Sequence, residues 1–126
     1  MAQFMLMCCQ AEVDPAEQDE RDAELPMLAE LHRKLRDAGI LLDVQRLRSP
    51  QSATSVRVRD GRTEITDGPF AVTKESLAGY YLVECADLDE AIEVAATLSG
   101  ARYGTIEVRP VIPQAEWADE AVEDRP

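Results

Sequence analysis

The alternation of apolar and polar residues predicts four strands and two helices in the body of the chain. Residues 3–9 and 79–85 are almost entirely apolar, which is typical of strands that bury side chains on both faces of a sheet. Residues 25–38 carry apolar side chains at three- and four-residue intervals, which indicates an amphipathic helix. A second helix and two further strands complete the pattern, at residues 88–98, 40–48 and 104–109.

Capping residues indicate where the helices begin and end. Asp14, followed by a proline and then a glutamate, favours a helix start, so a short helical turn is predicted after it. Asp87 lies three residues before a glutamate and is predicted to cap the second long helix. Gly39 and Gly100 are expected to end the two long helices, with Gly39 in the left-handed conformation.

A hairpin and a second turn are predicted between the two central strands. Residues 54–59 alternate valine and arginine, an aspartate–glycine turn follows, and residues 62–66 return from it. The tetrapeptide DGPF at 67–70 is a turn in which the aspartate, glycine and proline each have a backbone role. Phe70 is expected to hold this turn against the core.

The order of these elements predicts one α+β domain over residues 1–113 and an acidic tail over residues 114–126. With right-handed crossovers, both long helices cover the same face of the sheet. The other face is then uncovered, although the strands carry apolar side chains on both faces. Because an exposed apolar face usually marks an interaction surface, we expect it to pack on a second copy in a two-fold homodimer.

The charge of the chain excludes some partners and permits others. The formal net charge is −12; residues 12–24 hold seven acids and one base, and the tail holds five acids and one base. Nucleic acids and anionic membranes attract basic surfaces, so neither is expected as a partner. The two acidic segments are interpreted as solvated chain or, alternatively, as a docking surface for a basic protein.

The sequence predicts a cytoplasmic protein without a metal or cofactor. The N-terminus lacks the basic start and long apolar stretch of a signal peptide, and three cysteines suit a reducing compartment. The chain has one histidine, and its cysteines do not have metal-ligand spacing. It also lacks a phosphate loop, a dinucleotide-binding glycine pattern and a nucleophile elbow.

Several motifs within residues 54–85 occur together with a characteristic ending. They are the alternating arginine strand, the DGPF turn, the tripeptide TKE and two adjacent tyrosines, and the segment ARYGTIEVRP follows at 101–110. In this combination the chain resembles the YCII-related family, specifically its DGPF-domain branch, over about residues 3–112. The resemblance implies a ferredoxin-like α+β fold that pairs into a dimeric α+β barrel.

The resemblance implies less about catalysis. The wider family has a proposed histidine–aspartate pair, whose histidine lies in the first helix about three turns before the terminal glycine. That position falls near Leu28 in this chain, and His32 is one turn further on. Val72 stands where the family pattern has a glutamate, and Ala78 where a second glycine is common. The family pair therefore does not transfer directly to this sequence.

Candidate site residues come from the DGPF turn, the strands and the first long helix. Asp67 and Lys74 are candidate catalytic groups on a loop that could border a pocket, and His32 is a candidate general base. The predicted ligand-binding residues are Asp67, Phe70, Lys74, Tyr81 and Arg109. Ordinary turn, surface and packing roles are the alternative for each of them.

Five arginines within residues 46–62 form a further candidate feature. Arginine guanidinium groups bind carboxylates or phosphates in a bidentate manner. These side chains could equally be solvated, or pair with acidic segments of the same chain or of its mate in a dimer. The sequence alone leaves these alternatives open.

Two functions are consistent with these features. In the first, a homodimer binds a small molecule in a cleft between the sheet and the helices, with or without catalysis. In the second, the protein is a regulatory accessory protein that works with a sigma factor or another basic partner. The resemblance to the DGPF branch permits the second function, and the acidic segments would supply its docking surface.

Overall fold

A four-stranded antiparallel sheet is the centre of the protein. The structure is a computed structural model and describes residues 1–117. The strands in chain order are β1 (Ala2–Gln10), β2 (Leu41–Arg46), β3 (Thr54–Arg59), β4 (Arg62–Asp67), β5 (Ser76–Cys85) and β6 (Thr105–Pro110). The helices are α1 (Pro15–Asp22), α2 (Leu25–Asp37), α3 (Leu88–Thr97) and α4 (Ser99–Tyr103).

The strand order of the main sheet is β2-β5-β1-β6, and each neighbouring pair is antiparallel. The two central strands, β1 and β5, are those predicted from apolar runs. The chain is thus an α+β protein, as expected, and its arrangement of strands and helices is compatible with a ferredoxin-like fold. In the described part of the chain, no helix combines the length and the apolar character needed to cross a membrane.

The core lies between this sheet and the helices. Phe4, Leu6 and Cys8 of β1 alternate toward the helices and are buried, and Val83 of β5 is fully buried beside them. Helix α3 contributes Ala91 and its neighbours from the opposite side of the core, and α2 packs against the same cluster with partly buried leucines. Both long helices therefore cover one face of the sheet, as the crossovers predict.

The other face of the sheet is not covered by any element within residues 1–117. Its centre consists of Met5 and Met7 of β1, which pair in register with Leu82 and Tyr80 of β5, and all four side chains are half-buried. We call these four residues the open face. Apolar side chains on the uncovered side are what the two-sided pattern of β1 and β5 predicts.

The predicted caps are confirmed. The backbone N–H of residue 17 donates to Asp14 Oδ1 at 2.8 Å, and that of residue 90 donates to Asp87 Oδ1 at 2.9 Å. Gly39, after α2, has a φ of 76°. The helix that follows Asp14 is longer than the predicted single turn, because it continues for two turns to Asp22.

The prediction that Gly100 ends the second long helix is wrong. Helix α3 ends at Thr97, and Leu98 has an extended backbone that places its side chain in the core. Gly100 then lies inside the short helix α4, where its Cα approaches β1. A Cβ at this position would lie 3.4 Å from Cys8 Sγ, which is ordinary contact, so Gly100 neither ends a helix nor is required by the packing there.

The predicted hairpin is confirmed, but it does not join the main sheet. Strands β3 and β4 form a separate two-stranded sheet that turns at Asp60 and Gly61, both with positive φ. The expectation that Phe70 holds the adjoining turn against the core is wrong, since Phe70 is 81% exposed. The turn lies at the base of a hairpin outside the helix–sheet layers, so no core surface is available to this side chain.

Candidate functional site

A cleft of about 610 Å³ lies between the main sheet and the helices. Its walls come from the end of β1, from α1 and the start of α2, and from parts of β2, β5 and α4. The side chains that line the cleft include Cys8, Glu12, Arg21, Asp22, Glu24, Leu25, Leu28, His32, Val44, Arg46, Leu47, Arg48, Tyr81 and Tyr103. They bring together segments that are far apart in the sequence.

His32 and Tyr81 form a hydrogen-bonded pair in this cleft. Tyr81 alternates toward the helices along β5, and His32 lies on the side of α2 that faces the sheet. His32 Nε2 and the Tyr81 hydroxyl oxygen are 2.8 Å apart, and the two rings meet edge to face at 5.1 Å. Tyr81 is buried and His32 is half-buried, so the pair is reached mainly through the cleft.

Both members of this pair are held neutral near pH 7. Burial lowers the pKa of His32, and the nearby Arg36 guanidinium lowers it further. Burial raises the pKa of Tyr81 to about 12, with a further contribution from Cys8. One proton therefore lies between the imidazole nitrogen and the phenol oxygen, which equips the pair to give or accept a hydrogen bond.

Cys8 lies close to this pair but is not an activated nucleophile. Burial, together with a smaller contribution from the neighbouring Cys9, raises the pKa of its thiol to about 11. A thiol with such a pKa stays protonated at neutral pH, whereas nucleophilic attack requires the thiolate. The role of Cys8 that fits these properties is packing beneath the cleft.

Arg21 forms part of the cleft wall through an unusual set of contacts. Its side chain is only 13% exposed, its guanidinium carbon lies 4.4 Å above the centre of the Tyr103 ring, and its Nη2 donates to Glu17 at 3.1 Å. Its Nε is buried, and no atom within residues 1–117 accepts a hydrogen bond from it. A buried donor without an acceptor costs about 1–3 kcal/mol.

The acidic side chains of the cleft already have partners. Glu12 and Asp22 each accept a hydrogen bond from a glutamine side chain, at 2.9 Å in both cases. Glu24 accepts hydrogen bonds from the Tyr103 hydroxyl at 2.6 Å and from an arginine at 2.8 Å. Arg48, by contrast, has no ion-pair partner in the part of the chain that the structure describes. Arg48 is therefore a cationic side chain of the cleft that is available to an acidic group of a ligand.

The structure brings together two of the sequence-predicted residues and separates the others from them. Tyr81 and His32 meet in the cleft, whereas Asp67, Phe70 and Lys74 are exposed in and after the hairpin and are not among the cleft residues. Arg109 projects from β6 on the same side as the open face, where it pairs with Glu107. Ligand binding by Asp67, Phe70, Lys74 and Arg109 stays a prediction.

Sequence reasoning missed Arg21 and Tyr103 as cleft residues. They belong to α1 and α4, which are separated by most of the chain, and no local pattern links them. The pairing of His32 with Tyr81 had a usable signal. The α2 stripe places His32 on the border of its apolar face, and the alternation along β5 directs Tyr81 inward beside Val83.

The acidic segment at 12–24 lies on α1 and on the chain around it. Part of its charge is used within the protein, since Asp22 lies 3.7 Å from Arg46 and Glu17 pairs with Arg21. Docking of a basic partner or a sigma factor on this segment stays a prediction. Residues 118–126 of the predicted acidic tail lie outside the described residues, and the domain boundary after residue 113 is likewise untested.

Comparison with known proteins identifies the family. The model of the YCII-related domain matches residues 5–117. A protein of Rhizobium meliloti (strain 1021), named only as uncharacterised, is 45% identical to this chain over 97 residues, which span 75% of this chain and 77% of that protein. Its name provides no activity, substrate or partner. The family match and this identity both cover most of the chain, which therefore belongs to the YCII-related family.

Proposed function

We propose that the protein binds a small organic anion in the cleft between its sheet and helices. The observation that carries this proposal is the combination of the neutral His32–Tyr81 pair with the half-buried, incompletely hydrogen-bonded Arg21 in one cleft of about 610 Å³. A volume of this size suits a small metabolite, since ligand pockets commonly measure about 300–1,000 Å³.

The charge of the cleft favours a carboxylate over a neutral or cationic ligand. Its carboxylates are engaged with neighbouring side chains, whereas Arg21 Nε and the Arg48 guanidinium have no acceptor within residues 1–117. Arg46 forms one long ion pair, at 3.7 Å, and its side chain is mostly exposed. A carboxylate would give the exposed Arg46 and Arg48 guanidinium groups the charge-assisted hydrogen bonds that they lack, and the positive charge of Arg21 in the same cleft would favour the anion further.

The rest of the lining indicates that the ligand also has an apolar part. Leu25 and Leu28 of α2 and Val44 of β2 border the cleft, and Leu47 extends this apolar surface. A hydrocarbon or aromatic body would lie against these side chains while the carboxylate reaches the arginines. The His32–Tyr81 pair would then bind a hydroxyl or carbonyl group of the ligand, and it could transfer a proton if the protein is an enzyme.

The proposal is tested with 4-hydroxybenzoate and its uncharged analogue 4-hydroxybenzyl alcohol as probes, by NMR titration of the purified protein. We expect the anion to shift cleft resonances and to bind at least about tenfold more tightly than the alcohol, since hydrogen bonds to charged groups contribute about 1.5–3 kcal/mol. Arg21→Gln should weaken binding of the anion by about tenfold or more and leave binding of the alcohol nearly unaffected.

Arg33→Gln is the matched control, because Arg33 lies on the exposed side of α2 and outside the cleft. The affinity of this variant for 4-hydroxybenzoate should stay within about twofold of the affinity of the unsubstituted protein, because only a surface ion pair is lost. Equal binding of the two probes, or no shift of cleft resonances at about 10 mM probe, a range typical of very weak binding, would contradict the proposal.

We also propose that the protein is a homodimer in which the open faces of two copies meet, as in a dimeric α+β barrel. The four residues of the open face are apolar or aromatic. They are bordered by the Glu107–Arg109 pair and by Asp43, which accepts a hydrogen bond from Tyr80. An apolar centre with a polar rim is typical of protein interfaces. The expected location is the cytoplasm, in line with three free cysteines.

Sedimentation velocity tests this dimer. The protein should sediment at about twice its chain mass of 14.0 kDa at micromolar concentration. Met7→Lys should shift it to the monomer, because an ammonium group would have to be buried without a partner at the interface centre. Glu93→Lys adds a lysine on the exposed side of α3 and should remain dimeric. A monomeric unsubstituted protein would overturn the proposal.

A further inference from the structure

Helix α1 forms one wall of the cleft without contributing to the core. Gln18, Arg21 and Asp22 line the cleft, and their spacing of three and four residues places them on one face of the helix. None of the eight residues of α1 is buried, and its apolar residues, Pro15 and Ala16, are exposed. The hydrophobic packing that holds α2 and α3 on the sheet is therefore missing from α1.

Polar contacts attach α1 to the body of the protein. The guanidinium carbon of Arg21 lies 4.4 Å above the centre of the Tyr103 ring, and Asp22 Oδ1 lies 3.7 Å from Arg46 Nη2. Within residues 1–117, these are the cation–π contact and the ion pair that α1 makes with other elements. An exposed ion pair contributes little, so the stacking of Arg21 on Tyr103 is the main attachment.

The chain on both sides of α1 is tied to other elements. After α1, Glu24 accepts hydrogen bonds from Arg102 at 2.8 Å and from the Tyr103 hydroxyl at 2.6 Å. Before α1, Glu12 accepts a hydrogen bond from the Gln51 side chain at 2.9 Å. The helix can therefore leave the cleft and return to the same place, because the chain on either side of it stays attached.

The docked position is also what keeps α1 helical. Isolated helices shorter than about 12–15 residues are marginal in water, because nucleation of a helix is costly, and α1 has eight residues. When α1 leaves the cleft, its backbone hydrogen bonds are expected to open. Hydrogen exchange of the α1 amides therefore reports how often the helix is undocked.

We propose that α1 is a lid, which opens to admit the ligand and closes over it, and that Arg21 on the Tyr103 ring is its latch. This inference rests on the proposed binding of an organic anion and adds the movement by which the anion enters. Arg21 is the one basic residue of α1, and its half-buried side chain lies in the cleft. A bound anion attracts this charge and so favours the closed position.

Hydrogen exchange measured by NMR tests the latch without any ligand. After correction for intrinsic rates, amides in the second half of α1 should exchange at least about a hundredfold faster than those of α3, which packs in the core. Tyr103→Leu removes the aromatic ring and should speed α1 exchange by about fivefold or more, the size of a cation–π contact. The α3 amides are the internal reference for the fold.

Tyr103→Phe is the matched control, because it retains the ring under Arg21 while Glu24 keeps its bond to Arg102. Exchange of α1 in this variant should stay within about twofold of the unsubstituted protein, as cation–π contacts form with phenylalanine too. The lid would be overturned by α1 amides as slow as those of α3, by equal α1 exchange in the two variants, or by an equal acceleration of α1 and α3 in Tyr103→Leu.

A second measurement adds 4-hydroxybenzoate at ten times its dissociation constant. Exchange of α1 should slow by about tenfold, because a ligand that binds only the closed state protects it in proportion to its occupancy. If the probe binds as proposed above but leaves α1 exchange unchanged, the lid is overturned and the proposed function stands. If neither probe binds, the proposed function fails, and the lid fails with it because it has no ligand to enclose.

Discussion

Replacing Gly104 with alanine is expected to lower the free energy of unfolding by about 3 kcal/mol, at the upper end of typical overpacking penalties. Gly104 connects α4 to β6 and has an extended backbone that any residue adopts, so its conformation does not require glycine. Glycine is required here because β1 approaches closely: an added Cβ would lie 2.2 Å from the Cys9 carbonyl oxygen. A backbone atom cannot turn aside as a side chain would, so α4 or β1 must shift.

Gly100→Ala is the matched control, since it changes the same residue type four positions earlier. An alanine Cβ at 100 would lie 3.4 Å from Cys8 Sγ, which is ordinary contact, and alanine favours a helix by up to about 1 kcal/mol. We expect this variant to be neutral or slightly stabilised in urea denaturation. Equal destabilisation by the two substitutions would show that the close approach at Gly104 is not the cause.

Raising the pH from about 9 to about 12 is expected to remove roughly 3–5 kcal/mol from the stability of the protein. Burial raises the pKa of Cys8 from 9.0 to about 11 and that of Tyr81 from 10.0 to about 12. The unfolded chain therefore loses these protons at a lower pH than the folded protein does. Stability is fully present below about pH 9 and falls as the pH rises through the two folded-state values.

The two groups influence each other, so their contributions are smaller together than their simple sum. Urea denaturation at several pH values measures the decline. In Cys8→Ala the slope of stability against pH between about 9 and 11 should fall to roughly half, whatever the absolute stability of that variant. A stability that does not change with pH over this range would contradict the assigned burial of both groups.

Much of the fold follows from local sequence signals. The caps at Asp14 and Asp87 and the left-handed Gly39 were predictable because each depends on residues within one helical turn. The central strands were predictable because an apolar run without helical spacing suits a strand covered on both faces. The position of the β3–β4 hairpin was not predictable in this way, since alternation indicates a strand but not the sheet it joins.

The candidate site was less predictable because it is assembled from distant segments. Arg21 contacts Tyr103, which is far from it in the sequence, and neither residue belongs to a recognisable motif. The site was predicted at the DGPF turn because the residues of this turn are distinctive in sequence. The aspartate, glycine and proline of the motif are explained by the turn that they form at the base of the hairpin. His32 was the exception, since helical spacing alone places it beside the apolar stripe of α2.

Glu24 shows how one side chain can constrain the evolution of others. It stands between α1 and α2 and accepts hydrogen bonds from two consecutive residues of α4, Arg102 and Tyr103. Removing the carboxylate alone would leave the part-buried Tyr103 phenol without its acceptor and the exposed Arg102 without its ion pair, so a change at Glu24 is expected to be accompanied by changes at its two partners. Sequences descended from a common ancestor should therefore keep or lose these three residues together.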